Sequence, residues 1–323
     1  METENLFYLN NQRVKINFMG LEDDELNAAR KYVEVTRHIQ EIRRYYKIFL
    51  FNLDLLLSEY SLINDGKVKK DEEFVRSEEH FIAINALVYN VIGAGRTLSE
   101  TIENFIKGNF TKDDEVRRKF LKFNSGIYDS SFAYRLLIRL RDYSQHGHLP
   151  VNIYGDWFGF DLHQILTKPH YNHNGLIKQQ LEGAVQDVYE VYGDKPRLSL
   201  AMTLAEYTAS LMVIYNQFWI SVIESVVAVY KQFCEVVKMY PENICSLDKE
   251  GFELFIYDVE DESLQTALLN EDIPTILSEY NTEAEQSKNK YLAEWEALKE
   301  SVLCIRVTDG KAIEMGPLMN GAI

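Results

Sequence analysis

The sequence predicts a mostly α-helical protein, an up-and-down bundle of long helices followed by a small α+β C-terminal region. Apolar residues recur at alternating steps of three and four over long stretches, the period of an amphipathic helix. Only 6 prolines and 16 glycines occur in 323 residues, which is few for an architecture built from turns. Hydrophobic residues make up 46% of the chain, which is enough to bury a sizeable core.

The N-terminal region, residues 1–77, predicts one long helix over residues 22–60. The apolar residues on one face of this helix recur at alternating steps of four and three from Val35 to Leu56. The tripeptide Asn64-Asp65-Gly66 is typical of a chain break and ends this pattern. A charged connector follows it and leads into the next helix.

Residues 78–240 are predicted to form the helical bundle itself. Gly93 and Gly95 cost helix propensity, which favours a role in close packing against a neighbour. Asn109 or Thr111 is expected to cap a short basic helix that residues 124–126 end. Residues 151–160 are expected to form a short strand or an extended arm. The predicted helices cover residues 80–107, 112–123, 129–146, 161–167, 175–192 and 198–239.

Residues 241–323 predict an acidic α+β region, with strands over 252–257 and 302–307 and a helix over 284–300. Residues 241–300 contain 16 acidic and 4 basic side chains. The simplest interpretation is a solvated surface that keeps the protein soluble. A second hypothesis is that this region imitates nucleic acid and covers a basic patch, so that deleting residues 241–323 would raise RNA binding.

The charge is distributed unevenly, and this matters for nucleic-acid binding. The net charge of −16 argues against a nucleic-acid partner, yet residues 1–240 carry only −4 of it. Residues 112–141 hold eight basic and four acidic side chains. This run predicts either a solvated helix face or a phosphate-attracting patch. The residues assigned to an RNA-binding patch are Arg117, Arg118, Lys119, Lys122, Arg135 and Arg139.

Cysteine usage and hydropathy point to a cytoplasmic protein. The three cysteines lie far apart, without the spacing of a disulfide framework or a metal site. The N-terminus lacks the basic start and apolar core of a signal peptide. The most apolar stretch, residues 211–230, contains Asn216 and Glu224, so we expect a buried core helix rather than a membrane span. We therefore expect no membrane partner.

One short segment combines groups that could perform chemistry, Arg141-Asp142-Tyr143-Ser144-Gln145-His146. An arginine can grip phosphate oxygens, and a histidine can take or give a proton near neutral pH. Cleavage of an RNA phosphodiester needs little more than these two groups. Arg141 and His146 are five positions apart, about 140° around an ideal helix. Either the helix bends or ends between them, or the two groups meet from different chains.

This segment, preceded by Leu140 and closely followed by Leu149-Pro150, resembles the motif of the HEPN superfamily. That motif is an arginine, four to six residues, and a histidine, with a polar residue after the arginine as Asp142 is here. The helix over residues 85–106 is similar to the first bundle helix of many members, and the resemblance covers residues 78–240. Toxin members often carry a tyrosine two residues after the histidine, whereas this chain has His148.

The resemblance implies a bundle that dimerises and brings two motifs into one cleft. It implies a metal-independent endoribonuclease without cofactor that leaves a cyclic phosphate, often a toxin or phage-defence effector. Arg141 and His146 would be the catalytic pair. The expected partners are the RNA substrate, a second copy and a regulatory protein. The residues expected to hold the geometry or the RNA are Asp142, Ser144, Gln145 and His148.

Other interpretations of these residues stay open. The motif could be a capped helix end in which Arg141 pairs with Asp129 or another acid. The chain would then be an inactive HEPN-like scaffold, or a regulatory or nucleotide-binding module. The aromatic residues of the helix over 198–239 are expected to be core residues rather than base-stacking platforms. Three histidines without suitable spacing are expected at the surface rather than at a metal: His163, His170 and His173.

Overall fold

The protein is mostly α-helical, as the apolar periodicity predicts. In this computed structural model the described residues form eight helices and nine short strands. The structure describes the side chains of only part of these elements. The described residues are 6–9, 12–14, 23–64, 78–145, 149, 151–154, 157–167, 175–192, 197–238, 252–258, 263–269, 273–296, 304–308 and 311–315.

The helices follow the predicted order closely. Most boundaries lie within a few residues of the predicted ones, and α8 begins eleven residues earlier than predicted. The helices are α1 (Asp23–Asn64), α2 (Glu79–Asn109), α3 (Glu115–Ser130), α4 (Phe132–Gln145), α5 (Leu162–Thr167), α6 (Gly175–Tyr192), α7 (Leu200–Lys238) and α8 (Ile273–Glu296).

The predicted end of α3 was wrong. The helix passes through Asn124-Ser125-Gly126 and continues to Ser130, and its N-cap is Asp114, whose side chain accepts from the Val116 N–H at 2.8 Å. At the far end, the Arg135 guanidinium donates to the Tyr128 and Asp129 carbonyls. Carbonyls in a last helical turn lack helical partners, and a cation there satisfies them. This tertiary contact outweighs the local cost of Gly126.

The strands form two sheets. The first has the order β2-β1-β6-β7 and the second the order β3-β4-β5-β8-β9; β5 and β8 pair in parallel, and all other pairs are antiparallel. Residues 151–160, predicted as a strand or an arm, form a hairpin of two strands. The strands are β1 (Leu6–Leu9), β2 (Gln12–Val14), β3 (Val151–Tyr154), β4 (Trp157–Asp161), β5 (Arg197–Ser199), β6 (Phe252–Asp258), β7 (Ser263–Leu269), β8 (Cys304–Thr308) and β9 (Lys311–Met315).

The chain forms two compact units, each built from segments that lie far apart in sequence. One compact unit contains Met1–Arg44 and Phe218–Thr282, and the other contains Tyr45–Gln217 and Glu283–Ile323. Strands need partners for their backbone groups, and these partners lie far away in sequence. Strand β6 pairs with β1, and β8 pairs with β5, so residues 241–323 are shared between the two units. Deleting them would remove strands from both sheets, which makes that deletion a poor test of RNA masking.

The cores of both units are rich in aromatic residues. In the first unit, Tyr32 stacks on Phe233 with ring centroids 4.4 Å apart. In the second unit, Tyr46 stacks on Tyr215 at 3.8 Å. The aromatic residues Tyr207, Tyr215, Phe218 and Trp219 of α7 are buried, as expected for core residues, whereas Tyr230 is half-buried.

Two helices are long and apolar enough to cross a membrane by length and composition alone, namely α2 and residues Leu200–Glu235 of α7. In each, 39% of the apolar window is buried inside the protein. A core helix of a globular protein has the same length and composition, so these two properties do not distinguish a membrane span from a core helix. Both helices carry buried polar side chains, including Ser99 in α2 and Thr208 in α7.

Candidate functional site

The predicted catalytic segment lies at the C-terminal end of α4. The described part of the helix runs from Phe132 to Gln145, so the backbone of Arg141 lies in this helix. His146 and His148 lie outside the described residues, and β3 begins at Val151. The backbone of Arg141, Asp142, Ser144 and Gln145 is helical, whereas their side chains lie outside the part of the molecule that the structure describes.

The N-terminus of α4 is fixed by a hydrogen-bonded cap. The Ser131 hydroxyl accepts from the Tyr134 N–H at 3.1 Å and donates to the Glu206 carboxylate of α7 at 2.7 Å. The same carboxylate oxygen accepts from the Ala133 N–H at 3.3 Å. A carboxylate at a helix N-terminus is stabilised by the exposed N–H groups and by the helix dipole. Glu206 therefore fixes where α4 starts.

Arg135 lies behind this cap and is fully buried. Its guanidinium donates to the Tyr128 and Asp129 carbonyls, each at 3.0 Å, and to the Gln180 side-chain oxygen at 2.7 Å. Burial lowers the pKa of Arg135 from its ordinary value, while nearby Tyr128, Asp129 and Glu206 oppose that shift. The side chain thus joins α3, α4 and α6. The assignment of Arg135 to an RNA-binding patch was wrong, since a buried guanidinium cannot meet a phosphate at the surface.

Contacts with α2 hold the middle of α4. The Arg96 guanidinium donates to the Ile138 carbonyl at 3.2 Å, and the Ser99 and Tyr134 hydroxyls lie 2.9 Å apart. Burial raises the pKa of Tyr134 to about 12, and the hydrogen bond with Ser99 partly offsets this effect. The Tyr134 ring also stacks on Tyr207 of α7, with centroids 5.9 Å apart. Side chains from α2 and α7 therefore position α4 along its length.

A second contact with α2 fixes the chain after the motif. Asn85 is 2% exposed, and its side-chain oxygen accepts from the Val151 N–H at 3.0 Å. Its side-chain nitrogen donates to the Val151 carbonyl, also at 3.0 Å. One side chain thus satisfies both backbone groups of the first residue of β3, as buried polar groups require. Through Arg96 and Asn85, α2 holds the chain on both sides of the motif.

The helical backbone of α4 places Arg141 in register with residues of the core. Arg141 follows the buried Leu137 by four residues and the buried Tyr134 by seven, so it continues an apolar row. Its neighbour Leu140 is buried, and Arg139 on another side of the helix is exposed.

The other basic residues of the predicted patch have different surroundings. The Arg117 guanidinium donates to the Lys107 and Phe110 carbonyls at the end of α2, each at 3.0 Å, so it caps that helix. Lys119 pairs with Glu115 at 2.7 Å, and this exposed pair lowers the pKa of Glu115. The residues that face solvent are Arg118, Lys119, Lys122 and Arg139. The exposed part of the patch is therefore smaller than the sequence predicts.

Within the described residues, no group of three or more histidine, cysteine, aspartate or glutamate side chains could hold a metal ion. The side chains of His163, His170 and His173 lie outside the described part of the chain. Sequence reasoning missed the positioning roles of Asn85 and Glu206. A polar residue within an apolar helix face was the available signal for both.

No protein-family model, curated protein or solved structure matches this chain.

Proposed function

We propose that this protein is a metal-independent endoribonuclease of HEPN type, with Arg141 and His146 as its catalytic pair. The observation that carries the proposal is the place of the motif in the fold. Helix α4 carries Arg141, and α2 anchors the chain before and after the motif through Arg96 and Asn85. A catalytic pair requires such support, because reacting groups must be held to within about 0.5 Å of their productive positions.

The proposed reaction uses the RNA as its own nucleophile. His146 removes the proton from a 2′-hydroxyl, and the 2′-oxygen attacks the adjacent phosphorus. The bond from phosphorus to the 5′-oxygen breaks, and a protonated histidine gives its proton to that leaving oxygen. Arg141 stabilises the negative charge on the phosphoryl oxygens in the transition state. The products are a 2′,3′-cyclic phosphate and a 5′-hydroxyl, so no water or metal is consumed in this step.

The reaction needs one neutral histidine as the base and one protonated histidine as the acid. Each copy of the chain would supply one of them, which is the chemical reason to propose a homodimer. Asp142, Ser144, Gln145 and His148 would orient the pair or the RNA. The solvent-facing residues Arg118, Lys119, Lys122 and Arg139 would attract the phosphate backbone. The Lys119–Glu115 pair is exposed and therefore weak, so it leaves Lys119 able to bind phosphate. We further propose a cytoplasmic location and a toxin or phage-defence role, with a regulatory protein as a partner.

The test is cleavage of total cellular RNA by the purified full-length chain in EDTA. Arg141→Ala and His146→Ala are compared with Arg37→Ala, which removes an exposed arginine of α1 outside the proposed site. We expect defined fragments from the wild type and from Arg37→Ala, and none from the two motif variants. Cleavage that survives both motif substitutions would refute the assignment of this pair.

A scaffold function is the second candidate, and the structural roles of two other arginine side chains favour it. Arg117 and Arg135 are both used to cap the carbonyl ends of neighbouring helices. Arg141 could serve the same purpose, in which case the motif would be structural. Arg141→Ala would then lower the thermal stability by several degrees, and wild-type protein would not cleave RNA. Under the ribonuclease proposal, Arg141→Ala abolishes cleavage and leaves the melting temperature nearly unchanged.

A further inference from the structure

Three exposed apolar side chains lie around the point where α2 binds β3. Ile82 and Tyr89 of α2 are 56% and 37% exposed, and Leu149, two residues before β3, is 53% exposed. Asn85 binds Val151, the first residue of β3, by two hydrogen bonds. Along α2, Asn85 lies between Ile82 and Tyr89. We refer to Ile82, Tyr89 and Leu149 as the junction surface, since exposed apolar residues gathered at one place are typical of a binding surface.

The junction surface lies beside the proposed catalytic segment. The Ser99 and Tyr134 hydroxyls lie 2.9 Å apart. Three residues earlier in α2, Arg96 binds the carbonyl of Ile138, four residues later in α4. The two helices therefore run antiparallel, and each rises by about 1.5 Å per residue. Continuing this pairing places Tyr89 at the level of the last turn of the described part of α4.

The neighbours of Tyr89 on α2 are small and leave room beside its ring. Residues three and four positions away are the neighbours of a side chain on a helix surface. On the exposed side of α2 these are Ala86 and Gly93. No atom lies within 4 Å of a Cβ built on Gly93, so the space one turn after Tyr89 is open. An aromatic ring bordered in this way can offer its face to a planar ligand.

The charge of the surrounding segments is compatible with a ligand that carries phosphate. Residues 80–99 and 130–155 contain four arginines and one acidic residue, Asp142, in a chain whose net charge is −16. One of these arginines, Arg139, is exposed on α4. A membrane-binding helix normally buries a long apolar face, whereas the junction surface consists of three side chains, one of them a flat ring. A planar group joined to a phosphate, as in a nucleotide, fits both the ring and the charge.

We propose that Tyr89 stacks on an unpaired base of the RNA substrate, with Ile82 and Leu149 at the edge of that base. This inference rests on the ribonuclease proposal for its choice of ligand. In a duplex, each base is paired and stacked between its neighbours, so its face is covered. A base reaches Tyr89 only when it is unpaired. The chain should therefore bind a single strand more tightly than a duplex of the same sequence.

The first test is binding of a fluorescent 2′-O-methyl RNA of about twelve nucleotides, as a single strand and as a duplex, measured by anisotropy in EDTA. This probe lacks the 2′-hydroxyl nucleophile and stays intact. Tyr89→Ala should weaken binding of the single strand by at least about fivefold. Tyr89→Phe keeps the ring and should bind within about twofold of the wild type. Phe51→Ala is the matched control and should bind like the wild type, because Phe51 is an exposed aromatic residue of α1, at 62%.

Three results of this test would overturn the proposal. They are equal affinity for the duplex, unchanged binding in Tyr89→Ala, and no binding of the single strand by the wild type up to about 100 μM. Circular dichroism verifies that each variant folds. Sedimentation with phosphatidylcholine–phosphatidylserine vesicles that is lost in Tyr89→Ala would assign the surface to a membrane and would also overturn the proposal.

The second test concerns the stacking itself. An abasic nucleotide is placed at each position of the probe in turn. At one position it should weaken binding to the wild type by at least about fivefold, with little effect on Tyr89→Ala, because the two changes remove the same contact. Equal losses in both proteins at every position would exclude the stack.

The outcomes for the base-stacking site and for the ribonuclease are distinguishable. RNA that binds through Tyr89 and is never cleaved would refute the ribonuclease proposal and support the stacking site. RNA that is cleaved by the wild type and bound equally well by Tyr89→Ala would refute the stacking site and leave the ribonuclease proposal intact.

Discussion

Replacing Gly95 with alanine is expected to destabilise the protein, although alanine is the better helix former. A Cβ atom at Gly95 would lie 2.5 Å from the Tyr207 hydroxyl and 2.5 Å from the Leu211 Cδ1 atom. Neither side chain can move aside freely. Tyr207 is fully buried, its hydroxyl donates to the Ile92 carbonyl at 3.2 Å, and its ring stacks on Tyr134.

The expected magnitude follows from three contributions. Overpacking a dense core costs about 1–3 kcal/mol. Displacing the Tyr207 hydroxyl from the Ile92 carbonyl costs about 1 kcal/mol more. The higher helix propensity of alanine returns about 1 kcal/mol. The net loss in the free energy of unfolding is therefore about 1–3 kcal/mol.

Gly93 provides a matched control in the same helix. No atom lies within 4 Å of a Cβ built on Gly93, so Gly93→Ala gains helix propensity without a clash. We expect this variant to be about 0.5–1 kcal/mol more stable than the wild type. Denaturant unfolding followed by far-ultraviolet circular dichroism compares the two variants. A Gly95→Ala protein as stable as Gly93→Ala would refute the close packing of α2 against α7.

Three further predictions concern the supports of α4. Arg135→Met should lower the free energy of unfolding by about 2–4 kcal/mol, because the Tyr128, Asp129 and Gln180 oxygens lose their charged donor. Urea denaturation measures this loss, and a loss below about 0.5 kcal/mol would contradict the prediction. Glu206→Gln keeps an acceptor oxygen but removes the charge at the helix N-terminus, so a loss of about 0.5–2 kcal/mol in the free energy of unfolding is expected. Urea denaturation measures this loss, and a variant as stable as the wild type would count against the cap. The Tyr134 pKa of about 12 lies above that of an unfolded tyrosine, so its contribution is complete below pH about 10 and is lost as the pH rises towards 12. Tyr134→Phe should therefore flatten the alkaline part of the stability profile, and an unchanged alkaline slope would count against a buried neutral hydroxyl.

The helices could be predicted from the sequence because their signal is local. Residues such as Ile42, Tyr46 and Phe49 repeat with the helical period, and the structure buries all three. A helix closes its hydrogen bonds within itself, so its period is visible within a short window. The same reasoning located α4, the helix that contains Arg141.

Features that depend on distant partners could not be predicted. Strand β5 is three residues long and pairs with β8 more than one hundred residues later, so neither composition nor period marks it. Arg117 and Arg135 were assigned to a phosphate-binding patch because an arginine that binds carbonyls looks the same in sequence as one that binds phosphate. Asn85 was overlooked because its partner, the Val151 backbone, lies 66 residues away.

The chemistry of the cleaved ends tests the central claim most directly. A short RNA and the same strand with one 2′-deoxy nucleotide at the mapped cleavage position are incubated with the full-length chain in EDTA, and the products are identified by mass spectrometry. The proposed mechanism predicts a 2′,3′-cyclic phosphate and a 5′-hydroxyl from the RNA, loss of this cleavage in Arg141→Ala and His146→Ala, and no cleavage of the 2′-deoxy strand. Cleavage of the 2′-deoxy strand, 5′-phosphate ends, or an inert wild-type protein would contradict it.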